Sequence, residues 1–213
     1  MSGFFSFEVI IAVLVGISAI CCIVGQEREN SPVVFLFKPL TMIFILIYLF
    51  SSVSTWDSYA WLLFAGLFVS MVGDVFLMLP EDHFLQGLVS FLIAHLLYLG
   101  AFYVRGGFSA TVELWIPLLM YTLAMLWMLL PRAGGLKIPV LIYVVVLFLM
   151  GWQALELWSF SANKGIYTCV GGLLFMVSDS ALGWNRFRGP FPFSSLVVLG
   201  TYFPAQFFLA SSI

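Results

Sequence analysis

Eight apolar runs, each near the length needed to cross a bilayer, follow one another along this chain with only short polar breaks between them. A spanning helix takes about 20 mostly apolar residues. By that rule the runs predict helices near 4–24, 33–50, 59–79, 84–104, 112–130, 137–158, 165–184 and 193–211. The breaks carry the stop signals: GQERENSP, SSVST, Pro80-Glu81-Asp82-His83, Arg105-Gly106-Gly107, then Pro131 with Gly134-Gly135. Period-2 alternation is lacking, which excludes a β-barrel. Composition points the same way. Only 8% of residues are charged and 63% are hydrophobic, with a mean hydropathy of +1.13, whereas a soluble domain carries about 25% charged residues. The expected fold is an all-α integral membrane bundle of about eight helices, with residues 1–213 forming a single transmembrane domain. The first run has no basic n-region and no A-x-A site, so it is read as a retained helix. No basic run suggests nucleic acid, and the expected surroundings are membrane lipids. Cys21, Cys22 and Cys169 sit in apolar runs without zinc-type spacing and read as small buried hydrophobes.

Basic residues in the loops set the orientation. Arg28, Lys38, Arg132, Lys137, Arg186 and Arg188 fall in or beside the odd-numbered loops, and only Arg105 and Lys164 beside the even ones. The odd loops are therefore expected to be cytoplasmic. Short loops and the lack of targeting signals suit a bacterial inner membrane. At a rise of 1.5 Å per residue, Asp74, Asp179 and Lys38 each lie roughly 7 Å in from the odd-loop face. His95 and Gln206 lie deeper, about 17–20 Å from it. Glu8 and Glu156 fall towards the opposite face. Aligning Asp74 with Asp179 also pairs Gly66 with Gly171, Met71 with Met176 and Val72 with Val177. This suggests two parallel four-helix repeats around a central cavity.

Ionisable groups within membrane-length apolar runs are costly and mark functional sites by default. Asp74 and Asp179 allow two readings: isolated buried carboxyls that fix helix packing, or a pair that lines a wet cavity. In the second, two nearby carboxyls divide the labour of general acid and charge stabiliser or base. Lys38 either snorkels or neutralises an aspartate, or it contacts a phosphate. His95 with Tyr98, and Tyr202 with Gln206, form polar edges one helical turn apart. Each suits a cavity wall or an ordinary interhelical hydrogen bond. Arg186 and Arg188 read as topology and head-group contacts, or as a grip on a substrate phosphate at the cavity mouth. The Glu81-Asp82-His83 loop reads as solvated. Two histidines are too few for a three-histidine zinc site, and G-x-S-x-G, H-E-x-x-H and Walker patterns are absent. No metal or other cofactor is expected.

FKPLT at 37–41, Gly73-Asp74 with Phe76-Leu77 after it, F-x-x-A-H-x-x-Y at 91–98, F-M-V-S-D-S at 175–180 and T-Y-x-x-A-Q at 201–206 occur in order. Together they resemble the YhhN-like family, which includes the lysoplasmalogenases of animals and bacteria. The resemblance implies an eight-helix membrane hydrolase. Such enzymes cleave the vinyl-ether bond of lysoplasmalogen, releasing a fatty aldehyde and glycerophosphoethanolamine or glycerophosphocholine. It maps the family's paired aspartates onto Asp74 and Asp179, its lysine-proline onto Lys38-Pro39, and its histidine and tyrosine onto His95 and Tyr98. The chemistry suits the residues. A vinyl ether hydrolyses by rate-limiting protonation of carbon, and water captures the oxocarbenium ion. That needs a positioned acid and a carboxylate, with no metal. The expected partner is a lysophospholipid with its tail among the helices and its phosphate near Lys38 or Arg186. The alternatives are a small lipid or solute transporter or flippase, a hydrolase of another lysolipid, and a non-catalytic lipid-binding protein.

Overall fold

The computed structural model describes residues 2–108, 110–160 and 162–213; the side chains of 2–6, 112, 160 and 162–164 lie outside that description. Lys164, counted in the loop bias above, is among the latter. The described residues form eight α-helices and no strand: α1 (Ser2–Glu27), α2 (Ser31–Ser52), α3 (Ser58–Met78), α4 (Phe84–Gly106), α5 (Val112–Leu129), α6 (Lys137–Phe160), α7 (Ala162–Arg188) and α8 (Ser194–Ala210). The first seven are long and apolar enough to cross a membrane, and α8 is a shorter apolar helix. The chain is a multi-pass integral membrane protein.

The local chemistry of the breaks explains the ends. Asn30 accepts from the Val33 amide at 3.4 Å and Asp57 from the Ala60 amide at 2.9 Å, capping α2 and α3. Gly107 takes φ +69° just past α4, a conformation that favours glycine. The largest departure from the sequence expectation is α7, which runs to Arg188 where the reading ended it near 184. Three contacts extend it. The Arg188 guanidinium donates to the Met128 carbonyl at 2.9 and 2.7 Å, Arg186 pairs with Asp82, and Phe187 packs against the small core of Met125, Leu129 and Val140. Both arginines thus belong to the last helical turn, where cations meet the negative end of the helix dipole. Gly189-Pro190 then stops the helix.

The helices pack mainly in consecutive pairs, α1 on α2, α3 on α4 and α7 on α8, with α6 bridging α4 and α7. Helix α5 leans on α6 and more lightly on α7, and its outer residues Met120 and Trp127 are exposed to lipid. Close approach of α3 and α4 rests on missing side chains. A Cβ at Gly66 would collide with the Tyr98 ring, and one at Gly73 would meet the Phe91 ring at 2.9 Å. Small residues let membrane helices draw together in this way. At the opposite end, Glu156 is buried. It accepts from the Thr111 amide and hydroxyl and from the Trp152 indole, tying the α4–α5 loop to α6. Arg105 lies over the Tyr59 ring at 4.2 Å and donates to the Ser212 carbonyl, which fixes the end of the chain.

Gly66→Val is expected to destabilise the bundle by about 1–3 kcal/mol, because the fully buried Tyr98 ring has nowhere to retreat. Thermal unfolding in detergent beside the wild-type protein measures it. An unchanged midpoint would mean that the α3–α4 spacing is loose.

Candidate active site

Lys38 enters α2 near the odd-loop face, and its ammonium stands 3.0 Å from Oδ1 of Asp74 on α3. Tyr202 of α8 donates to Oδ2 of the same carboxyl at 2.6 Å. Asp74 is 1% exposed, so this ion pair is buried and both carboxyl oxygens are satisfied. One turn along α8, Gln206 accepts from the Tyr98 hydroxyl at 2.7 Å, and Ser70 lies 3.4 Å from that hydroxyl. Three helices, α2, α3 and α8, thus meet at one charged group, and α4 joins them through Tyr98.

Asp179 on α7 belongs to a second cluster. Tyr143 of α6 donates to its Oδ2 at 2.5 Å. His95 Nε2 stands 3.3 Å from the same oxygen but off the line of a hydrogen bond, and neither ring nitrogen has a hydrogen-bond partner. His95 is fully buried between the rings of Tyr143 and Phe175, at centroid distances of 5.2 and 4.7 Å. The two aspartates share no partner. Phe175 touches both clusters, edge-on to His95 and, at 5.6 Å, to Tyr202; Phe91 packs beside it at 6.2 Å. His95 and Tyr98, one turn apart on α4, therefore serve different carboxyl clusters rather than one wall.

Two openings that share a wall reach these clusters, beside a groove at Glu29, Ser31 and Val34 that also meets Lys38. A polar vestibule of about 360 Å³ at the odd-loop end is lined by Gln26, Lys38, Asp82, Asn185 and Arg186. A narrower apolar cleft of about 40 Å³ runs between α4, α5, α6 and α7 past Tyr143 and Asp179. Leu77, Phe84 and Leu182 line both. Across the vestibule mouth Arg186 donates to Asp82 at 2.7 Å and lies over the Phe84 ring at 4.6 Å. Asp82, expected to be merely solvated, is instead the counter-ion of Arg186. The guanidinium and the Phe84 amide hold its carboxyl below the usual range. A depressed carboxyl contributes stability above its ordinary value of about 3.9, and that contribution fades as the pH falls through the folded value. The bridge ties the α3–α4 loop to the last turn of α7, with Asp74 eight residues before Asp82 and Asp179 seven before Arg186 in the chain.

Of the residues singled out in the sequence, Lys38, Asp74, Tyr98, Tyr202 and Gln206 are brought into one cluster, His95 and Asp179 into another, and Arg186 lies at the vestibule mouth. Sequence reasoning missed Tyr143, a lone phenol in the aliphatic run LIYVVVLFLM, where a tyrosine is unremarkable until its partner is known. It also missed Tyr121, whose hydroxyl meets Ser180 at the cleft wall.

The YhhN family pattern matches residues 33–213. The chain belongs to the YhhN family. It is 38% identical to the lysoplasmalogenase TMEM86B of Mus musculus over 76% of this chain and 67% of the mouse protein. It is 36% identical to lysoplasmalogenase TMEM86B of Rattus norvegicus over 87% of this chain and 75% of the rat protein. The uncharacterized membrane protein YhhN of Escherichia coli O157:H7 is 26% identical over 84% of this chain and 86% of its own length. No solved structure matches. All five YhhN-like segments identified in the sequence lie within the matched region, and both carboxyl clusters are built from them together with Tyr143 and Ser70.

Removing one partner of a buried ion pair leaves an uncompensated charge, which costs about 3–5 kcal/mol. Lys38→Met is expected to destabilise by that order, and Lys38→Met with Asp74→Asn by clearly less. Unfolding of the two single variants and the double variant in detergent measures the coupling. Additive losses would show that the pair contributes no net attraction.

Proposed function

We propose that this protein is a membrane lysoplasmalogenase that hydrolyses the vinyl-ether bond of a lysoplasmalogen by acid catalysis at Asp179. The observation that carries the reading is the contrast between the two buried carboxyls. Asp74 has a lysine counter-ion, whereas Asp179 has a tyrosine donor and an unpaired histidine and lines an apolar cleft. A buried carboxyl without a counter-ion is accommodated as the neutral acid. The relatives named lysoplasmalogenase supply the reaction class.

In this mechanism the carboxylic acid of Asp179 gives its proton to the vinyl carbon remote from the ether oxygen. The C=C electron pair forms the new C–H bond, and an oxygen lone pair completes the oxocarbenium ion. Water adds to that cation while the Asp179 carboxylate takes one of its protons, restoring the acid. His95, with two unpaired nitrogens beside Asp179, holds the water. The hemiacetal passes its hydroxyl proton to the glycerol oxygen as the C–O bond breaks. One water is consumed, and an aldehyde and a glycerophospho-alcohol leave. Tyr143 positions the acid. Asp74 holds Lys38 at the vestibule, where the ammonium and Arg186 face the lipid phosphate with the bidentate or point-charge contacts suited to it. The odd-loop end is then the cytoplasmic side.

Purified protein is expected to release fatty aldehyde from lysoplasmalogen and not from a saturated lyso ether lipid. In deuterium oxide the aldehyde gains one deuterium at the carbon next to the carbonyl. Asp179→Asn is expected to lower kcat by about 10²-fold or more with substrate binding kept. Asp74→Asn should act chiefly on KM. Equal turnover by Asp179→Asn, in protein of wild-type fold, would overturn the assignment. Movement of lipid across sealed vesicles without cleavage would favour a transporter.

A further inference from the structure

We infer that the cleft between α4, α5, α6 and α7 is the binding site for the hydrocarbon tail of a single-chain amphiphile, entered sideways from the membrane between α4 and α5. The inference rests on the reaction proposed above and adds where the substrate's tail lies and how it arrives. Three observations carry it. The cleft is apolar and lined by Phe84, Phe91, Met125, Val144 and Leu147, with Tyr143 and Asp179 supplying its polar wall. Its neighbour, the vestibule, has more polar chemistry: Lys38 and Arg186 line it, paired with Asp74 and Asp82 where a phosphate would have to compete, beside Glu81 and His83. The two meet at Leu77, Phe84 and Leu182. One amphiphile lying across that meeting point would put its head among the cations, its tail against the apolar wall, and its first tail bond beside Asp179.

Lateral entry follows from how α5 is held. Among the described residues it packs on α6 and α7 with little contact to α4, and Tyr121, held against Met176 and Ser180 of α7, is partly exposed. Leu85 and Val89 on α4 and Leu123 on α5 are exposed apolar side chains. A tail therefore passes from bilayer to site without crossing water. The cleft is narrow, so an occupant parts its walls. Met125, Met176 and the leucines lining it are flexible side chains that can swing aside. The apolar groove on the far side, at Ala12, Gly16, Phe203 and Phe207 between α1 and α8, has no polar chamber or carboxyl attached to it.

Two measurements test the site. The first uses a non-cleavable lyso ether lipid carrying a diazirine in its chain, photolysed with the full-length protein in nanodiscs, with excess unlabelled lysolipid as competitor. Competed label is expected on α5, α6 or α7 residues of the cleft. Competed label on the α1–α8 groove, or no competed label anywhere, would overturn the proposal. The second uses Gly183→Leu, where even a Cβ would meet Leu129 at 3.0 Å and the longer side chain fills the cleft wall. Losing contact with about two methylenes is worth about tenfold. The kcat/KM ratio for long-chain over short-chain lysoplasmalogen should therefore fall by that factor. An unchanged ratio in folded protein would overturn the tail site. The two readings fail separately. Label in the cleft without vinyl-ether cleavage would leave the tail site standing and remove the reaction, whereas cleavage with label elsewhere would do the reverse.

Discussion

A charge buried among membrane helices must be answered by another, and here Lys38 and Asp74 answer each other at 3.0 Å. The rest of the core is arranged around that pair. Tyr202 reaches in from α8 to the second carboxyl oxygen, and Gln206, one turn on, anchors Tyr98 of α4. Tyr98 in turn fits over Gly66, so the glycine that lets α3 and α4 approach also seats the phenol. A hydrogen-bonded route therefore links α2, α3, α4 and α8 through groups that have almost no contact with water. In such surroundings leaving a polar atom unpaired is expensive, and among this cluster's described side chains Gln206 Nε2 is left without a hydrogen-bond partner.

Against that background Asp179 and His95 stand out. Among the described residues the carboxyl has a phenol donor and no lysine or arginine within ion-pair distance, and the imidazole beside it has two nitrogens without a hydrogen-bond partner. Fully satisfied polar networks rigidify a core, and partly satisfied ones are where a ligand or water is received. The aromatic wall of Phe91 and Phe175 keeps the two clusters chemically distinct while leaving them in contact. In the proposed reaction that separation does useful work: one carboxyl stays with its lysine to serve the phosphate, and the other is free to exchange a proton. The Arg186–Asp82 bridge at the vestibule mouth has the same logic at the surface, where a phosphate competes with a carboxylate for one guanidinium.

Much of this was legible in the chain. Eight apolar runs with Pro, Gly and polar breaks set the helix number and most of the ends, because backbone polar groups in hydrocarbon leave few alternatives to helix. Asp74, Asp179, Lys38 and His95 announced themselves by being ionisable in such runs. Helix α7 outran its expected end because Arg186 and Arg188 are held by Asp82 and Met128, partners that belong to other parts of the chain. Tyr143 was invisible for a related reason: a tyrosine among valines and leucines is ordinary until α6 is laid beside α7.

Sequence by itself therefore determined what the protein is made of: membrane-spanning helices, the ionisable groups within them, and the family whose ordered motifs they carry. Spacing along a helix sets depth through the 1.5 Å rise per residue, and depth is what hydropathy and position can report. Azimuth and neighbourhood are different quantities. Which way Asp74 and Asp179 face, that one meets a lysine and the other a tyrosine and a histidine, and that a polar chamber and an apolar cleft share a wall, depend on helix packing between segments as much as 128 residues apart. Apolar helices read alike from every side, so only the tertiary structure could decide those pairings.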